Sequence, residues 1–364
     1  MYHDPIEESS QQRFGHFASG LIIFLLPFVG ACSSGGSASD AGDATLQDMG
    51  DTTQDTDGNG GFFVEGYGEP DDGLSCSNAA SGEHVSSNVY KDLSADVRFS
   101  CGVTESSQAE CWGNGGLAAS PPSGTFVKIY ASERYSCGLG NRGKPTCWGT
   151  DYEGSGGAKT PSDARFYSLG LSRKMACGLI KPDGKIECWW SDASIADGVT
   201  DPPFSLEERV PDGEFARIGG GRAYMCAIRK ETDGSSNIEC WGTDEDEPAE
   251  APSGRYVDLA VGDFHACAAD SDDIWKCWGT SDDHDAPDMS FTDVSVGADI
   301  CGLTGRGELN CWGERGPANQ AFYDNKPSGC FEEATIGSGY GCGIRGDGRV
   351  ECWGENVGGR LDVP

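Results

Sequence analysis

The chain contains seven copies of one pattern, in which a cysteine is followed, after nine to thirteen intervening residues, by a Cys-Trp pair. An aromatic residue also stands ten or eleven residues before each first cysteine: Tyr90, Phe126, Phe166, Phe215, Tyr256, Phe291 and Phe331. We number these copies repeats 1 to 7. Successive Cys-Trp pairs are 34 to 52 residues apart, a period typical of architectures that stack one small structural motif many times.

The fourteen repeat cysteines form seven hairpin-sized pairs. They are Cys101 with Cys111, Cys137 with Cys147, Cys177 with Cys188, Cys226 with Cys240, Cys267 with Cys277, Cys301 with Cys311, and Cys342 with Cys352. Zinc sites favour two to four residues between cysteine ligands, whereas cysteines that face each other across a hairpin can form a disulfide. The spacing therefore favours disulfides over metal sites and indicates an oxidising compartment.

Each repeat predicts three short strands. In repeat 2 they are expected at about 126–129, 135–139 and 146–148. Placing Cys137 opposite Cys147 leaves the three-residue loop 141–143, in which Gly143 can adopt a positive φ. Strand alternation then puts Leu139 on the face of Cys137 and Trp148 on the opposite face. Both faces of the small sheet are therefore apolar.

A sheet with two apolar faces must be packed between copies of itself, and seven copies favour a closed ring over an open solenoid. The predicted fold is an all-β, seven-bladed β-propeller over residues 74–364. Cys330 directly precedes the aromatic residue of repeat 7, and Cys76 lies ahead of repeat 1. This placement predicts a disulfide between Cys76 and Cys330 where the ring closes.

Residues 1–31 are predicted to be a signal peptide. An apolar run from Phe17 to Val29 is short for a membrane span and ends in Val-Gly-Ala-Cys at Cys32. This ending resembles a bacterial lipobox, which implies lipidation of Cys32 and, with Ser33 after it, sorting to the outer membrane. The alternative is an ordinary signal peptide or a short anchor with an incidental cysteine.

Residues 32–73 are predicted to be a disordered acidic tether rich in Ser, Gly, Asp and Thr. Within the tether, Asp55, Asp57 and Asn59 reproduce the first half of an EF-hand-like calcium loop. Glu65 falls one residue short of the usual bidentate position, so a plain linker is favoured over a calcium site. No metal or cofactor is predicted elsewhere.

The formal charge of the chain is −33. Residues 74–364 hold 25 of the 26 basic and 46 of the 59 acidic residues, so the net charge of this region is −21. Because nucleic-acid affinity depends on neutralising phosphates with Lys and Arg, DNA and RNA are not expected partners.

Two acidic loops follow the Cys-Trp pairs of repeats 4 and 5. Their members are Asp244, Glu245, Asp246, Glu247, Asp282, Asp283 and Asp285. Equivalent loops emerge on one side of a propeller, so we expect an acidic patch that contacts a partner. The acids of the second loop flank His284 and could also bind a cation, but charged loops are more often simply solvated.

Catalytic signatures are absent from the sequence, which favours a non-enzymatic protein. His265 could be a ligand or a base, but the equivalent position in other repeats holds Tyr or Met, so a structural role is favoured. A propeller can still gather acids from several blades around its central channel, and a single sequence does not show such a group.

The succession of aromatic residue, apolar strand, Gly, Cys-Gly-Leu, Gly turn and Cys-Trp-Gly resembles the regulator-of-chromosome-condensation repeat family, especially its bacterial exported members. The segments 262–267 and 353–361 resemble the family pattern most closely. Membership would imply a seven-bladed propeller. Exported members include a beta-lactamase inhibitor, whereas eukaryotic members act as nucleotide-exchange factors for a nuclear GTPase and bind chromatin. The export signal, disulfides and acidity argue against the eukaryotic activity.

The leading functional hypothesis is a monomeric, lipid-tethered propeller on a bacterial envelope that binds a protein partner, with inhibition of a secreted or envelope enzyme as its sharper form. The alternative is a propeller that binds or hydrolyses glycans.

Overall fold

The computed structural model describes residues 79–80, 82–150, 163–173, 175–190, 210–230, 237–242, 251–279, 285–313 and 319–364. The predicted signal peptide, Cys32, Cys76 and the calcium candidates lie outside these residues. Within the described ranges, none of the helices has the length and apolar character needed to cross a membrane.

Each repeat forms three antiparallel strands, so the described residues contain 21 strands. Repeats 1 to 3 contain β1 Val85–Ala95, β2 Phe99–Thr104, β3 Ala109–Gly113, β4 Lys128–Ala131, β5 Tyr135–Leu139, β6 Pro145–Gly149, β7 Phe166–Leu171, β8 Met175–Ile180 and β9 Ile186–Trp190. Repeats 4 and 5 contain β10 Phe215–Gly220, β11 Tyr224–Arg229, β12 Ile238–Gly242, β13 Asp258–Val261, β14 His265–Ala269 and β15 Trp275–Gly279. Repeats 6 and 7 contain β16 Asp293–Val296, β17 Ile300–Leu303, β18 Leu309–Trp312, β19 Phe331–Ile336, β20 Tyr340–Arg345 and β21 Arg349–Gly354.

Helical structure is minor in this part of the chain. It consists of one short α-helix, Gln320–Asp324, and two 3₁₀ segments, Gly116–Ala119 and Val357–Gly359. The predicted all-β class is confirmed.

The predicted hairpin register is present in all seven repeats, where the first cysteine faces the second across the hairpin. Each facing pair forms a disulfide with its Cα atoms 4.0 Å apart. These bonds join Cys101 with Cys111, Cys137 with Cys147, Cys177 with Cys188, Cys226 with Cys240, Cys267 with Cys277, Cys301 with Cys311, and Cys342 with Cys352. All seven are the predicted pairs.

The turn glycines explain part of this register. They adopt the positive φ expected of them, 75° at Gly143 and 74° at Gly307. The register therefore follows from the cysteine spacing and the position of the turn glycine.

The two faces of each sheet pack on different neighbours. In repeat 2, Cys137 and Leu139 pack against Phe166 of repeat 3, whereas Trp148 packs against Phe99 of repeat 1. Equivalent clusters join every pair of neighbouring repeats, including repeats 7 and 1. The repeats thus form a closed ring, and the predicted opposite placement of Leu139 and Trp148 is confirmed.

Backbone hydrogen bonds join the repeats in the same cyclic order. In six repeats the N–H of the repeat's aromatic residue donates to a carbonyl in the hairpin turn of the preceding repeat, and in repeat 5 the Tyr256 N–H donates to Asn237 Oδ1 instead. Across the closure the Tyr90 N–H donates to Gly348 O at 2.8 Å. The aromatic residue of each repeat therefore packs in the core and also links its repeat to the preceding one.

The contact between repeats 7 and 1, which we call the seam, has additional bonds. The first part of β1 pairs with β21, which joins the two sheets into one of six strands. The Tyr340 hydroxyl lies within hydrogen-bonding distance of Asp96 O and Phe99 O. Cys330 is disulfide-bonded, and its predicted partner Cys76 lies outside the described residues.

The innermost strands of repeats 3 and 4 approach each other closely at their glycines. A Cβ added at Gly220 would collide with the carbonyl oxygen of Leu171 on β7, and one added at Gly170 would collide with Met225 Cε and the Gly219 backbone. Small residues are therefore needed where β7 and β10 meet.

Gly220→Ala is expected to lower the free energy of unfolding by roughly 1–3 kcal/mol, because the added methyl overpacks a backbone contact. Chemical denaturation monitored by tryptophan fluorescence measures the change. Gly305→Ala is the matched control, since a Cβ there meets nothing within 4 Å. An equal loss in both variants would contradict the close approach.

Candidate functional site: the central cavity and its two mouths

The ring encloses a central cavity of about 400 Å³ that is lined by the innermost strand of every repeat. The innermost strands all start at the same end of the cavity, which we call the strand-start mouth. They end at the opposite loop mouth, where short loops lead into the second strands. Because the third strands run parallel to the innermost strands, the connections to the next repeat also leave from the loop side.

Seven polar residues surround the strand-start mouth, each two residues after the aromatic position. They are Asp92, Lys128, Ser168, Arg217, Asp258, Asp293 and Glu333. An innermost strand is a sheet edge with N–H groups that lack a strand partner. The Asp92 carboxylate accepts the Ile129 N–H at 2.6 Å, and the Glu333 carboxylate accepts the Leu93 N–H at 3.0 Å. These acids thus connect repeats 7, 1 and 2.

A second tier of hydroxyls lies two residues further along the same strands. Ser94 Oγ accepts the Ala131 N–H at 2.9 Å, and Thr335 Oγ1 accepts the Ala95 N–H at 2.8 Å. Ser295 Oγ likewise accepts the N–H of Ile336, from repeat 6 to repeat 7. The polar lining of this half of the cavity therefore supports the ring itself.

Three carboxyl groups at the strand-start mouth hold protons more tightly than usual. Burial raises the pKa of Glu333 to about 8, and the Asp92 carboxylate adds to the rise. Burial also raises the pKa of Asp92 to about 6, although the nearby Lys128 ammonium acts to lower it. The pKa of Asp293 rises to about 6 through burial and the Asp258 carboxylate. At neutral pH this mouth therefore holds carboxyl groups of mixed protonation beside one lysine.

We predict that acid strengthens the fold through Glu333. Its pKa is 4.5 in an exposed carboxyl and about 8 here, so the folded chain binds this proton more tightly than the unfolded chain. The stability that protonated Glu333 gives to the folded state is fully present below about pH 4.5 and is lost as the pH rises through 8. Melting temperatures between these values should fall more steeply in the unmodified protein than in Glu333→Gln. Glu332→Gln, an exposed neighbour, is the control, and an identical slope in all three proteins would contradict the prediction.

The loop mouth carries charges of both signs. Glu133 pairs with the Arg173 guanidinium and lies 3.7 Å from Arg98. Burial raises the pKa of Asp96 to about 7, and the Asp263 carboxylate adds to the rise. These groups come from four different repeats, so only the closed ring brings them together.

Most of the predicted partner-contacting acids, Asp244 to Glu247, Asp282 and Asp283, lie outside the described residues, as does His284. Asp285 is described and exposed. His265 is buried at the start of β14, with 6% of its surface exposed, in the position that Tyr135, Tyr224 and Tyr340 occupy in other repeats. Among the residues with described positions, no three His, Cys, Asp or Glu side chains are placed to share a metal ion.

Sequence reasoning did not identify the acids of the strand-start mouth. A signal was present, because the position two residues after the aromatic residue is polar in all seven repeats. An ordinary surface strand produces the same alternation. The sequence alone therefore does not separate a cavity-lining position from a solvated one.

No protein-family model matches the chain. Among solved structures, the chain is similar to the CRINKLY WD40 ectodomain of the Arabidopsis thaliana receptor kinase ACR4, with 22% identity, a TM-score of 0.57 and coverage of 77% of this chain and 98% of that one. The ectodomain of the Physcomitrella patens receptor kinase CR4 is similar at 18% identity and a TM-score of 0.57, with 74% of each chain covered. Yeast RCC1 (Prp20), solved with Kap60, gives 14% identity and a TM-score of 0.40, with 75% of this chain and 73% of that one covered. The first two likenesses support a β-propeller fold.

Proposed function

We propose that this protein is an exported seven-bladed propeller whose loop side binds a protein partner without catalysing a reaction. Each three-stranded repeat is one blade. The observation that carries the proposal is the pair of side chains Leu117 and Val357, each 63% exposed. Both lie in connections that leave the loop side, from repeats 1 and 7. Loops held by a rigid scaffold often carry recognition, and these two side chains supply apolar contact area there.

A third exposed apolar side chain on the loop side lies beside an arginine. Phe264 is 38% exposed at the loop mouth, and the Arg222 guanidinium lies over its ring, 5.1 Å from the centroid. Apolar anchors with a polar and charged surround are common in protein–protein interfaces. The cross-strand disulfides support this function, because they hold each blade rigid and reduce the ordering cost of binding.

The sequence carries the features that favour export and anchoring. Disulfides in every repeat favour an exported protein. We place the propeller on a bacterial outer membrane through lipidated Cys32 and the tether 32–73. The sharper form of the proposal is that the partner is a secreted or envelope hydrolase, which the bound propeller inhibits.

Affinity capture tests the proposal. Full-length oxidised protein, tagged at its C-terminus, is incubated with a detergent extract of envelopes, beside a reduced and alkylated copy as control. We expect one protein at near-equal stoichiometry on the oxidised bait alone, and a captured hydrolase should lose activity when bound. Recovery of the same proteins on both baits, or of none, would contradict the proposal.

Glycan binding is a second candidate, favoured by the three carboxyl groups of the strand-start mouth. Neighbouring carboxyls whose environments separate their pKa values are a common feature of carbohydrate-active sites. This candidate predicts binding to defined oligosaccharides on a glycan array that is lost in Glu333→Gln. Unchanged glycan binding in that variant would remove it.

A further inference from the structure

The outer edge of β3 is a sheet edge with no strand of the described residues beside it. β3 is the last strand of the six-stranded sheet that begins with β19 and includes β21 and β1. The facing residues Cys101 and Cys111 have Cα atoms only 4.0 Å apart, the short spacing of residue pairs that exchange no backbone hydrogen bonds. The Cys111 N–H therefore points away from the hairpin, as does that of Ala109 two residues earlier. An edge of this kind can accept an additional strand.

Repeat 7 shows how the equivalent edge is filled. There the outward N–H groups belong to Val350 and Cys352 of β21, and the first part of β1 lies beside them. The Val350 N–H donates to Ser86 Oγ at 2.9 Å, and the Cys352 N–H donates to His84 O at 3.0 Å. Cys352 is 4% exposed, whereas Cys111 is only partly buried. The third strand of a repeat can therefore hold a fourth strand, and β3 offers the same two donors.

Two exposed apolar side chains flank the loop-side end of β3. The 3₁₀ segment Gly116–Ala119 packs against β3 and β6 and carries Leu117, which is 63% exposed. The segment Val357–Gly359 packs against β3 from repeat 7 and carries Val357, which is also 63% exposed. Successive residues of a strand point to opposite faces. Two adjacent apolar residues of an added strand would thus meet Leu117 on one side and Val357 on the other.

We propose that the outer edge of β3 accepts an extended segment of the protein partner as a fourth strand. This inference depends on the proposed function and specifies how the partner is held. The added strand runs antiparallel to β3, as β1 does beside β21, so its N-terminal residues lie at the loop side. In such additions backbone hydrogen bonds give affinity and side-chain contacts give specificity. The partner segment therefore begins with two adjacent apolar residues, which contact Leu117 and Val357.

Repeat 2 supplies a natural precedent for a variant that removes one donor from this edge. The residue equivalent to Ala109 is Pro145, which faces Leu139 across its hairpin as Ala109 faces Val103. Proline has no N–H and is tolerated on an edge strand where that group would point outward. Ala109→Pro should therefore fold and yet lose one of the two outward donors. Ala109→Ser is the matched control, since it keeps the N–H.

The test uses fluorescence anisotropy with the full-length oxidised protein. The probe is the acetylated peptide Ile-Val-Thr-Val-Thr-Lys, labelled with fluorescein on its lysine. Its β-branched residues favour an extended strand, and its apolar pair stands at the N-terminus. Two further copies carry N-methyl groups on alternate residues, one copy on the odd and one on the even positions. Because alternate N–H groups of a strand point to opposite edges, only one copy loses the N–H groups that face β3.

We expect the peptide to bind the unmodified protein and Ala109→Ser, and to bind Ala109→Pro at least about 5-fold more weakly, as for a carbonyl group left without its donor. One N-methylated copy should lose binding to the unmodified protein and the other should keep it. This comparison needs no variant, so it stands even if Ala109→Pro does not fold. Equal affinity for the two variants, an equal effect of the two N-methyl patterns, or no binding by the unmodified protein would each overturn the inference.

The partner from affinity capture separates this inference from the proposed function. A partner that binds Ala109→Pro as tightly as Ala109→Ser would overturn strand addition at β3 and leave the proposed function standing. A peptide that binds in the expected pattern, with no partner captured, would support strand addition and contradict the proposed function.

Discussion

Reduction of the disulfides is expected to unfold the protein at room temperature. Each repeat bond closes a loop of 10 to 14 residues, worth about 2.7 kcal/mol or slightly more in the chain-entropy description. Seven such bonds together exceed the roughly 5–15 kcal/mol that separates most folded domains from their unfolded chains. Near-ultraviolet circular dichroism of the aromatic clusters, with and without a phosphine reductant, measures the loss.

A single pair provides the control for this expectation. Replacing Cys137 and Cys147 together with serine removes one bond, so we expect a loss of about 2–4 kcal/mol and a protein that still folds. A fully reduced protein that melts within a few degrees of the oxidised one would contradict the importance given to the disulfides.

Glu351→Ala is expected to cost about 3–5 kcal/mol of stability, the second large effect. Glu351 accepts two hydrogen bonds from the Arg345 guanidinium, at 2.7 and 2.8 Å. The Glu351 side chain is only 6% exposed and the Arg345 side chain only 3%. The same guanidinium lies 3.8 Å from the centre of the Phe331 ring. Truncation would therefore leave a buried cation without its anion, and urea denaturation measures the cost.

Repeat 4 contains a matched control for that variant. Arg229 and Glu239 form the equivalent pair beside Phe215, but their side chains are 29% and 38% exposed. Because solvent screens an accessible pair, Glu239→Ala should cost only about 0–1 kcal/mol. Equal losses in the two variants would show that burial does not determine the effect.

The repeat pattern predicts much of the fold. The predicted second strand of repeat 2 is β5, Tyr135–Leu139, and the predicted third strand, 146–148, lies within β6. This success has a physical cause, because facing cysteines fix the register and one apolar residue on each face fixes the packing. The first strand is displaced, since β4 starts at Lys128 rather than Phe126. Phe126 instead donates its N–H to the turn of repeat 1.

The two mouths of the cavity could not be predicted in the same way. Asp92 and Glu333 are 241 positions apart in the chain, and their proximity exists only after repeat 7 meets repeat 1. The charged groups of the loop mouth likewise come from loops of four repeats. Local patterning determines a blade, whereas a site between blades depends on how the ring closes.

The central claim is that the loop side binds the partner. It is tested most directly by measuring how the captured partner binds variants that change one side of the propeller at a time. Leu117→Glu with Val357→Glu changes the loop side, and Val127→Glu with Val257→Glu changes exposed valines, 41% and 40% accessible, at the strand-start side. Calorimetric titration should show affinity lost in the loop-side pair and kept in the other. The reverse pattern, or equal affinity in both, would contradict recognition through the loop side.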